Sequence, residues 1–265
     1  MFFGIKYDRV ISFLSGLFSI ALLVFIWEYT AYLDFDYTKI LPPPTQFLSS
    51  LVDHDFRIGI GSQSATLLDS IISSTLRVTI GLLIAFIASV VVGVLISSSI
   101  WIKRFIMPIV EVFAPIAPIA WIPLALILFG IGDQAAVFIV FMGVFFILTI
   151  TAVKQIETVP KNLINIARSL GCSQSQIWLY VITPYVLPGV FTMLRINVIA
   201  AWMAVLAAEM TGLRDGLGAI IMNGRNLFNH DLILLGMLSI GIMGFLFNML
   251  LKYVQDRFLW WDSIN

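Results

Sequence analysis

The amino-acid sequence predicts an all-α membrane protein with six transmembrane helices, and two observations support the prediction. Apolar residues make up 60% of the 265 residues and charged residues only 11%, compared with about 25% charged in an average soluble domain. The mean hydropathy is +1.02, and the apolar residues form long runs that contain almost no charge. So few charges cannot coat a soluble globule, which argues against a cytosolic enzyme, a nucleic-acid-binding protein and a disordered chain. We treat residues 1–265 as a single transmembrane domain in a lipid bilayer.

Residues with distinctive chemistry are sparse. Fifteen basic and fifteen acidic residues cancel, so the total charge indicates no particular partner. The single cysteine, Cys172, excludes a disulfide framework and a zinc cluster. His54 and His230 have no partner at metal-ligand spacing, and no H-E-x-x-H motif occurs. We therefore expect no catalytic residue and no metal site.

Six runs fit the requirements of a membrane span, which needs about 20 predominantly apolar residues. An ionised side chain at the bilayer centre costs a few kcal/mol, about 2.5 or more, so a span is a run almost free of charge. The first run is longer than a signal-peptide core and no small-residue cleavage site follows it, so we expect a retained helix. The runs are residues 10–26, 78–100, 105–131, 134–153, 185–208 and 232–251.

The third run contains four prolines and one charge, Glu111. Each proline removes a backbone donor and clashes with the carbonyl four residues earlier. In lipid, the freed backbone groups must be satisfied by neighbouring helices or by a water-lined cavity. The run therefore predicts a kinked helix, either purely structural or lining a pathway. The prolines are Pro108, Pro115, Pro118 and Pro123.

The basic residues of the short loops predict the orientation. With a cytoplasmic N-terminus, nine lysines and arginines lie in cytoplasmic segments and four in outer segments, while most acidic residues lie outside. Both termini are then cytoplasmic, and residues 33–70 contain the largest outer loop. The cytoplasmic set is Lys6, Arg9, Lys103, Arg104, Lys154, Lys161, Arg168, Lys252 and Arg257, and the outer set is Lys39, Arg57, Arg214 and Arg225.

The cytoplasmic loop 154–184 has a helical pattern of its own. Pro160 suits the start of a helix, and Gly171 suits its end, because glycine accepts the left-handed conformation. Ser173 and Gln176 form a capping-box pattern for a second helix that leads back into the membrane. Apolar residues at three- and four-residue spacing give the first helix one apolar stripe, made of Leu163, Ile166, Ala167 and Leu170. This stripe either packs under the membrane domain or docks into a groove on another protein.

Two segments of this loop resemble the "EAA" loop of ABC importer permeases, in which EAA is followed by three residues, glycine, nine residues and I-x-L-P. They are residues 165–171 (NIARSLG) and 181–184 (VITP). Ala167, Gly171 and Pro184 match this pattern. Asn165 and Ile166 depart from its first two letters, so the salt bridge that the family makes from the glutamate has no counterpart here.

Further segments are similar to permeases for nitrate, taurine, aliphatic sulfonates and bicarbonate. Their order and spacing together are specific and extend the resemblance over nearly the whole chain. They are residues 41–45 (LPPPT), 74–77 (STLR), 115–123 (PIAPIAWIP), 129–132 (FGIG), 207–210 (AAEM) and 216–218 (GLG).

The resemblance implies the fold of a type I ABC importer permease in a bacterial inner membrane. In that family two permease copies pair, a coupling helix of each enters a cleft on a cytoplasmic ATPase subunit, and a separate binding protein delivers the solute. ATP and Mg²⁺ belong to the ATPase, so no cofactor is expected on this chain, and no G-x-x-x-x-G-K-[ST] motif occurs in it. By position, the ATPase contact would comprise Leu163, Asn165, Ile166, Ala167, Arg168, Leu170, Gly171, Ser173, Gln176 and Pro184.

The solute pathway is sought among ionisable residues at membrane depth, which face a cavity or pair with one another. Arg195 either pairs with Glu111, reaches toward the surface, or attracts an anion. Glu209 is expected to shape the outer loop with Arg214. Small residues suggest close helix packing, which could include a dimer seam. The pathway candidates are Arg77, Glu111, Pro115, Pro118, Arg195 and Glu209, and the packing candidates are Gly81, Gly93, Gly143 and Gly236.

The expected cargo is a small oxyanion or sulfonate: nitrate, bicarbonate, taurine or an alkanesulfonate. Related permeases also serve small cations and heterocycles such as a thiamine precursor, which remain alternatives. A secondary transporter would normally show an internal repeat between its halves, and no such repeat is evident. A membrane-embedded enzyme would need a catalytic constellation at membrane depth, and the sequence contains none.

Overall fold

A computed structural model describes residues 2–32, 42–45, 57–58 and 65–259. Almost all of these residues are helical, apart from an antiparallel pair of two-residue strands, β1 (Arg57–Ile58) and β2 (Ala65–Thr66). Most of the predicted outer loop 33–70, including His54, lies outside the described residues. The helices are α1 (Phe2–Tyr32), α2 (Leu67–Ser98), α3 (Ile100–Phe113), α4 (Ile122–Phe129), α5 (Asp133–Glu157), α6 (Lys161–Ser169), α7 (Gln174–Ile177), α8 (Thr183–Glu209), α9 (Leu217–Asn226) and α10 (His230–Phe258), with a 3₁₀ turn at Pro118–Trp121 and a π-helical turn at Trp178–Ile182.

Four helices are long and apolar enough to cross a membrane: Leu67–Ser98, Asp133–Glu157, Gln174–Glu209 and His230–Arg257. They correspond to the second, fourth, fifth and sixth predicted runs, and the second run differs at both ends, since α2 ends at Ser98 and Ile100 begins α3. Residues 78–100 were predicted as a span because Arg77 carries a charge, whereas α2 begins at Leu67. A capping box fixes this start, since the Asp69 amide donates to Thr66 Oγ1 and the Thr66 amide donates to the Asp69 carboxylate. The all-α fold class is confirmed.

The third predicted run, residues 105–131, is not one kinked helix. α3 and the Pro118–Phe129 segment are bent by 97° at a break of four residues. Pro115 lies in the break and Pro118 opens the 3₁₀ turn, so backbone donors are missing where the chain changes direction. Counting this bent pair as one span gives up to five spans in the described residues.

The first predicted run, residues 10–26, lies in α1. This helix is 31 residues long, but the described apolar part, Leu14–Thr30, is shorter than a full span. All six predicted runs are therefore helical. Four of them lie in candidate spans, one forms a bent pair and one lies in a shorter apolar helix.

Helix α5 lies at the centre of the bundle and packs on α2 and α8. Gly81 of α2 lies against Val140, and a Cβ at Gly81 would stand 2.7 Å from the Val140 Cβ. A Cβ at Gly93 would stand 2.9 Å from the Ala152 Cβ of α5, so two glycines allow the two helix backbones to approach. Gly143 packs on Pro118 and Ala204, and Gly236 on Ile221. All four glycines thus lie at close contacts between segments of one chain, as predicted for close helix packing.

Candidate functional site

Helix α6 ends at a glycine turn, as the sequence predicts. Gly171 has φ +80°, a backbone conformation that is strained for side chains with a Cβ. The Leu170 amide donates to the Ile166 carbonyl at 3.0 Å, and the Cys172 amide donates to the Ala167 carbonyl at 3.1 Å. These bonds satisfy carbonyls that the end of α6 would otherwise leave free. Gly171 therefore sets the angle at which the chain leaves α6.

The second helix of the loop begins at the predicted capping box. The Ser173 amide donates to the Gln176 side-chain oxygen at 2.7 Å, and the Gln176 amide donates to Ser173 Oγ at 3.4 Å. The helix then widens into the π-helical turn before Pro184, which has no amide hydrogen for the carbonyl four residues earlier. α7, this turn and α8 form one continuous helical segment from the loop to the far side of the bundle.

The apolar stripe of α6 divides into an inner and an outer part. Ala167 is buried and packs with Val159, Ile177 and neighbouring residues at the ends of α5 and α8. In contrast, Leu163, Ile166 and Leu170 are 41%, 56% and 79% exposed. These three side chains do not pack under the membrane domain. The outer part of the stripe is therefore exposed, while its inner part anchors α6 to the bundle.

A network of charged side chains lies at the opposite end of the bundle, around the buried Arg77 of α2. The guanidinium donates from Nε to Asp133 at 2.7 Å, from one terminal nitrogen to Glu209 at 2.9 Å, and from the other to Asp215 at 2.6 Å. Arg77 is 4% exposed and Glu209 is 1% exposed. Because buried charges are costly unless paired, this network fixes the ends of α2, α5 and α8 that are distant from α6 relative to one another.

Glu209 also caps the start of α9. Its second carboxylate oxygen accepts from the Gly218 amide at 2.9 Å, and Ser74 Oγ donates to the first at 2.7 Å. Ser74 in turn accepts the Leu217 amide at 2.9 Å. Gly216 has φ +113°, and a Cβ there would collide with the Glu209 carboxylate. The free amides at the start of α9 are thus satisfied by groups from α2 and α8.

Asp215 lies between α8 and α9, outside the membrane-spanning helices. Partial burial acts to raise the pKa of its carboxyl group. The hydrogen bond from Ser73 and the pairing with Arg77 outweigh that effect and hold the pKa below its usual range. Asp215 is therefore a carboxylate at neutral pH, and its contribution to stability is lost only as the pH falls through this lowered value.

The structure corrects the predicted partners of Glu209 and Arg195. Glu209 pairs with Arg77, whereas Arg214 is exposed. Arg195 does not pair with Glu111. It donates to Asn248 at 3.4 Å and to Gln255 at 3.1 Å, both on α10. α10 lies beside α8, so these neutral side chains reach Arg195 first.

The six predicted pathway residues do not form one cluster. Arg77 and Glu209 belong to the network around Arg77. Arg195 lies 14 residues before Glu209 on α8, about 21 Å along a helix. Glu111 is exposed on α3 and has no ion-pair or hydrogen-bond partner among the described residues. Pro115 and Pro118 belong to the break between α3 and α4.

Sequence reasoning missed Asp133 and Asp215 as members of the network around Arg77. A usable signal was present, because both aspartates and Arg77 adjoin the outer ends of predicted spans on the same side of the membrane. A buried arginine there needs carboxylate partners. The spacing along the chain could not show which carboxylates it meets.

Comparison with known proteins agrees with this architecture. Residues 78–259 match the family described as the binding-protein-dependent transport system inner membrane component. The taurine transport system permease protein of Escherichia coli is 30% identical over 245 residues, covering 92% of this chain and 88% of the relative. The nitrate import permease protein of Leptolyngbya laminosa is 31% identical over 187 residues, covering 71% and 67%.

A solved structure shares the fold. A chain of the inward-facing MetNI methionine ABC transporter superposes with a TM-score of 0.61 at 21% identity, covering 73% of this chain and 94% of that one. The resemblance found in the sequence is thereby confirmed. The chain belongs to the family of inner-membrane components of binding-protein-dependent transport systems, and it is an ABC transporter permease.

Proposed function

We propose that this permease imports a small oxyanion or sulfonate, of the nitrate, bicarbonate, taurine or alkanesulfonate class, with energy from ATP hydrolysed by separate ATPase subunits. Its relatives are named for taurine and nitrate, both of which present anionic oxygens. The observation that carries the role of a separate ATPase is the exposed apolar face of Leu163, Ile166 and Leu170. An amphipathic helix with such a face suits a groove on a partner protein.

The loop is built to transmit movement from that groove into the membrane. The outer face of α6 would contact the ATPase, with the exposed Asn165 beside it, whereas Arg168 lines the space between α6 and the bundle. The remaining loop residues hold the shape of the contact rather than touch the partner. Ala167 anchors α6 to the bundle, Gly171 sets the turn, Ser173 and Gln176 cap α7, and Pro184 follows the π-helical turn.

This assignment also sets the orientation and the other partners. With α6 on the ATPase side, the coupling loop and both termini are cytoplasmic and the Arg77 network faces outward. A soluble binding protein would deliver the anion to the outer side, and a second copy of the chain would complete the pathway. ATP and Mg²⁺ would be bound by the ATPase subunits, and no cofactor by this chain.

Arg195 supports an anionic cargo. Its described hydrogen bonds are to the neutral side chains of Asn248 and Gln255, and it has no acidic partner among the described residues. Arg77, by contrast, is fully engaged by three carboxylates. A half-buried guanidinium without a counter-ion attracts an anion and repels a cation. We therefore assign transient anion contact to Arg195 and not to Arg77.

The test is uptake by proteoliposomes that contain the permease with its own ATPase and binding protein. We expect ATP-dependent, saturable uptake of one labelled anion among nitrate, bicarbonate, taurine and an alkanesulfonate. ATP-dependent uptake of only a cation or a thiamine precursor would overturn the cargo, and uptake driven by an ion gradient without ATP would overturn the transport class.

The same assay tests the ATPase contact. Ile166→Glu should abolish ATP-dependent uptake and co-purification of the ATPase, because it places a charge on the exposed apolar face. Asn162→Glu adds the same charge to the exposed first turn of α6, at a residue that is not part of the proposed contact, and should leave both intact. Unchanged co-purification with Ile166→Glu would contradict the docking role of α6.

A further inference from the structure

A basic cavity lies between the membrane bundle and the inner side of α6. Its volume is about 570 Å³, within the range of about 300–1,000 Å³ typical of ligand pockets. Three cationic side chains line it, Lys103 of α3 and Lys161 and Arg168 of α6, together with one acid, Glu157. Glu157 pairs with Lys103. Lys161 and Arg168 have no acidic partner in the part of the chain that the structure describes, so the cavity carries an uncompensated positive charge.

An apolar groove adjoins this cavity. It has a volume of about 280 Å³ and is lined almost entirely by apolar side chains of α2, α5 and α8, including Val90, Val91 and Val190. Ile156, Trp178 and Ile182 line both the groove and the basic cavity. The two spaces therefore share a wall, and the groove runs into the bundle from the end where α6 lies.

The basic cavity suits the charged headgroup of a phospholipid, and the apolar groove suits one of its acyl chains. The groove lies along spanning helices, at a depth occupied by acyl chains, and the cavity lies where those helices end. Basic pockets between transmembrane helices on the cytoplasmic side bind anionic lipid headgroups. Ser97 adds a hydroxyl oxygen that is buried beside the cavity and has no hydrogen-bond partner among the described residues, so a headgroup oxygen could engage it after a side-chain rotation.

We propose that an anionic phospholipid binds here, with its phosphate at Lys161 and Arg168 and an acyl chain in the groove of Val90, Val91 and Val190. Both cations lie on α6, whose opposite face is the proposed ATPase contact. The lipid would thus brace the inner side of the coupling helix against the bundle. The placement on the cytoplasmic side rests on the proposed function, whereas lipid binding itself does not.

The test is native mass spectrometry of the purified full-length chain, titrated with phosphatidylglycerol or phosphatidylcholine and without ATPase. We expect tighter binding of phosphatidylglycerol. Lys161→Gln/Arg168→Gln should weaken it about thirtyfold, as expected for the loss of two basic contacts. Lys154→Gln/Lys252→Gln removes two exposed basic residues outside the cavity and should change it less than twofold. Lys161→Arg/Arg168→Lys should retain binding, which separates the loss of charge from misfolding.

The groove is tested separately with Val91→Trp, which fills it with an indole. This variant should weaken the binding of phosphatidylglycerol without affecting the binding of inorganic phosphate. Equal binding of the two lipids, or unchanged phosphatidylglycerol binding by the double glutamine variant, would overturn the site. Full displacement of phosphatidylglycerol by millimolar inorganic phosphate, with no effect of Val91→Trp, would instead indicate a free-anion site and overturn the lipid. Because no ATPase is present, these outcomes are independent of the docking assay.

Discussion

At the residue scale, Arg77 and Arg195 are held in two different ways that the sequence alone does not distinguish. Arg77 is enclosed by three carboxylates, whereas Arg195 is held by neutral amides. In the first arrangement the guanidinium is hydrogen-bonded to three carboxylates and its position is fixed. The second leaves a positive charge available, and the two arginines therefore differ in what their loss should do.

Arg77→Ala should destabilise the chain strongly. It would leave the buried Glu209 without a counter-ion, a change that typically costs about 3–5 kcal/mol. Arg214→Ala, at an exposed position next to the same network, should change stability by about 0.5 kcal/mol or less. Thermal unfolding of both purified variants, followed by intrinsic fluorescence, measures the difference. Equal melting temperatures for the two variants would show that the network contributes little.

Arg195→Gln should leave stability nearly unchanged and slow anion uptake about tenfold to a hundredfold, the range expected for a lost hydrogen bond to a charged group. Arg195→Lys keeps the charge and should retain most of the uptake. The initial rate of anion uptake in proteoliposomes, with the melting temperature measured in parallel, tests this. If the glutamine variant transports at the normal rate, Arg195 serves only to join α8 to α10.

At the scale of the element, α6 shows how much a helical pattern can predict. The apolar spacing, the glycine stop and the capping box predicted a helix, a turn and a second helix, because each is a local preference of the backbone. Those signals could not show which apolar side chains face the bundle. Ala167 is buried and Ile166 is exposed although they are adjacent in the stripe, since burial depends on where α5 and α8 end.

Gly171→Val should abolish coupling without preventing membrane insertion. At φ +80° a β-branched residue is strained, although the space around Gly171 is open, so the effect would come from the backbone alone. Gly171→Asn tolerates this conformation better and should retain coupling. Uptake and ATPase co-purification report the result. Normal uptake and normal ATPase co-purification by the valine variant would show that coupling does not depend on the turn at Gly171.

The bent pair of α3 and α4 shows the limit of pattern reasoning at this scale. Four prolines in one apolar run predicted a kink, and the chain instead turns by 97°. A proline removes a hydrogen bond, but the size of the resulting bend depends on what packs around it. Here Pro118 sits against Gly143 of α5, where the absence of a side chain makes room for the turn.

At the scale of the whole molecule, the two ends of the bundle have different chemistry. One end is fixed by an ion network that ties α2, α5, α8 and α9 together. The other end presents α6, an anchored helix with an exposed apolar face and a basic cavity behind it. In the proposed function, movement would enter at the α6 end while the Arg77 network keeps the opposite helix ends in register.

The purified permease should hydrolyse no ATP by itself, because the chain contains no phosphate-binding loop of the G-x-x-x-x-G-K-[ST] type. Addition of its ATPase subunit should bring activity. Phosphate release by a preparation free of ATPase, and still present after a second purification step, would refute this division of labour.

The sequence by itself determined the membrane environment, the position of each apolar run, the helical loop and the family resemblance, because hydropathy and capping are local properties of the chain. Only the tertiary structure decided which carboxylates surround Arg77, that Arg195 has no acidic partner among the described residues, and which side of α6 is exposed. These features depend on contacts between residues far apart in the sequence: Arg77 and Glu209 are separated by 132 positions. Burial and pairing at such distances follow from how the helices pack.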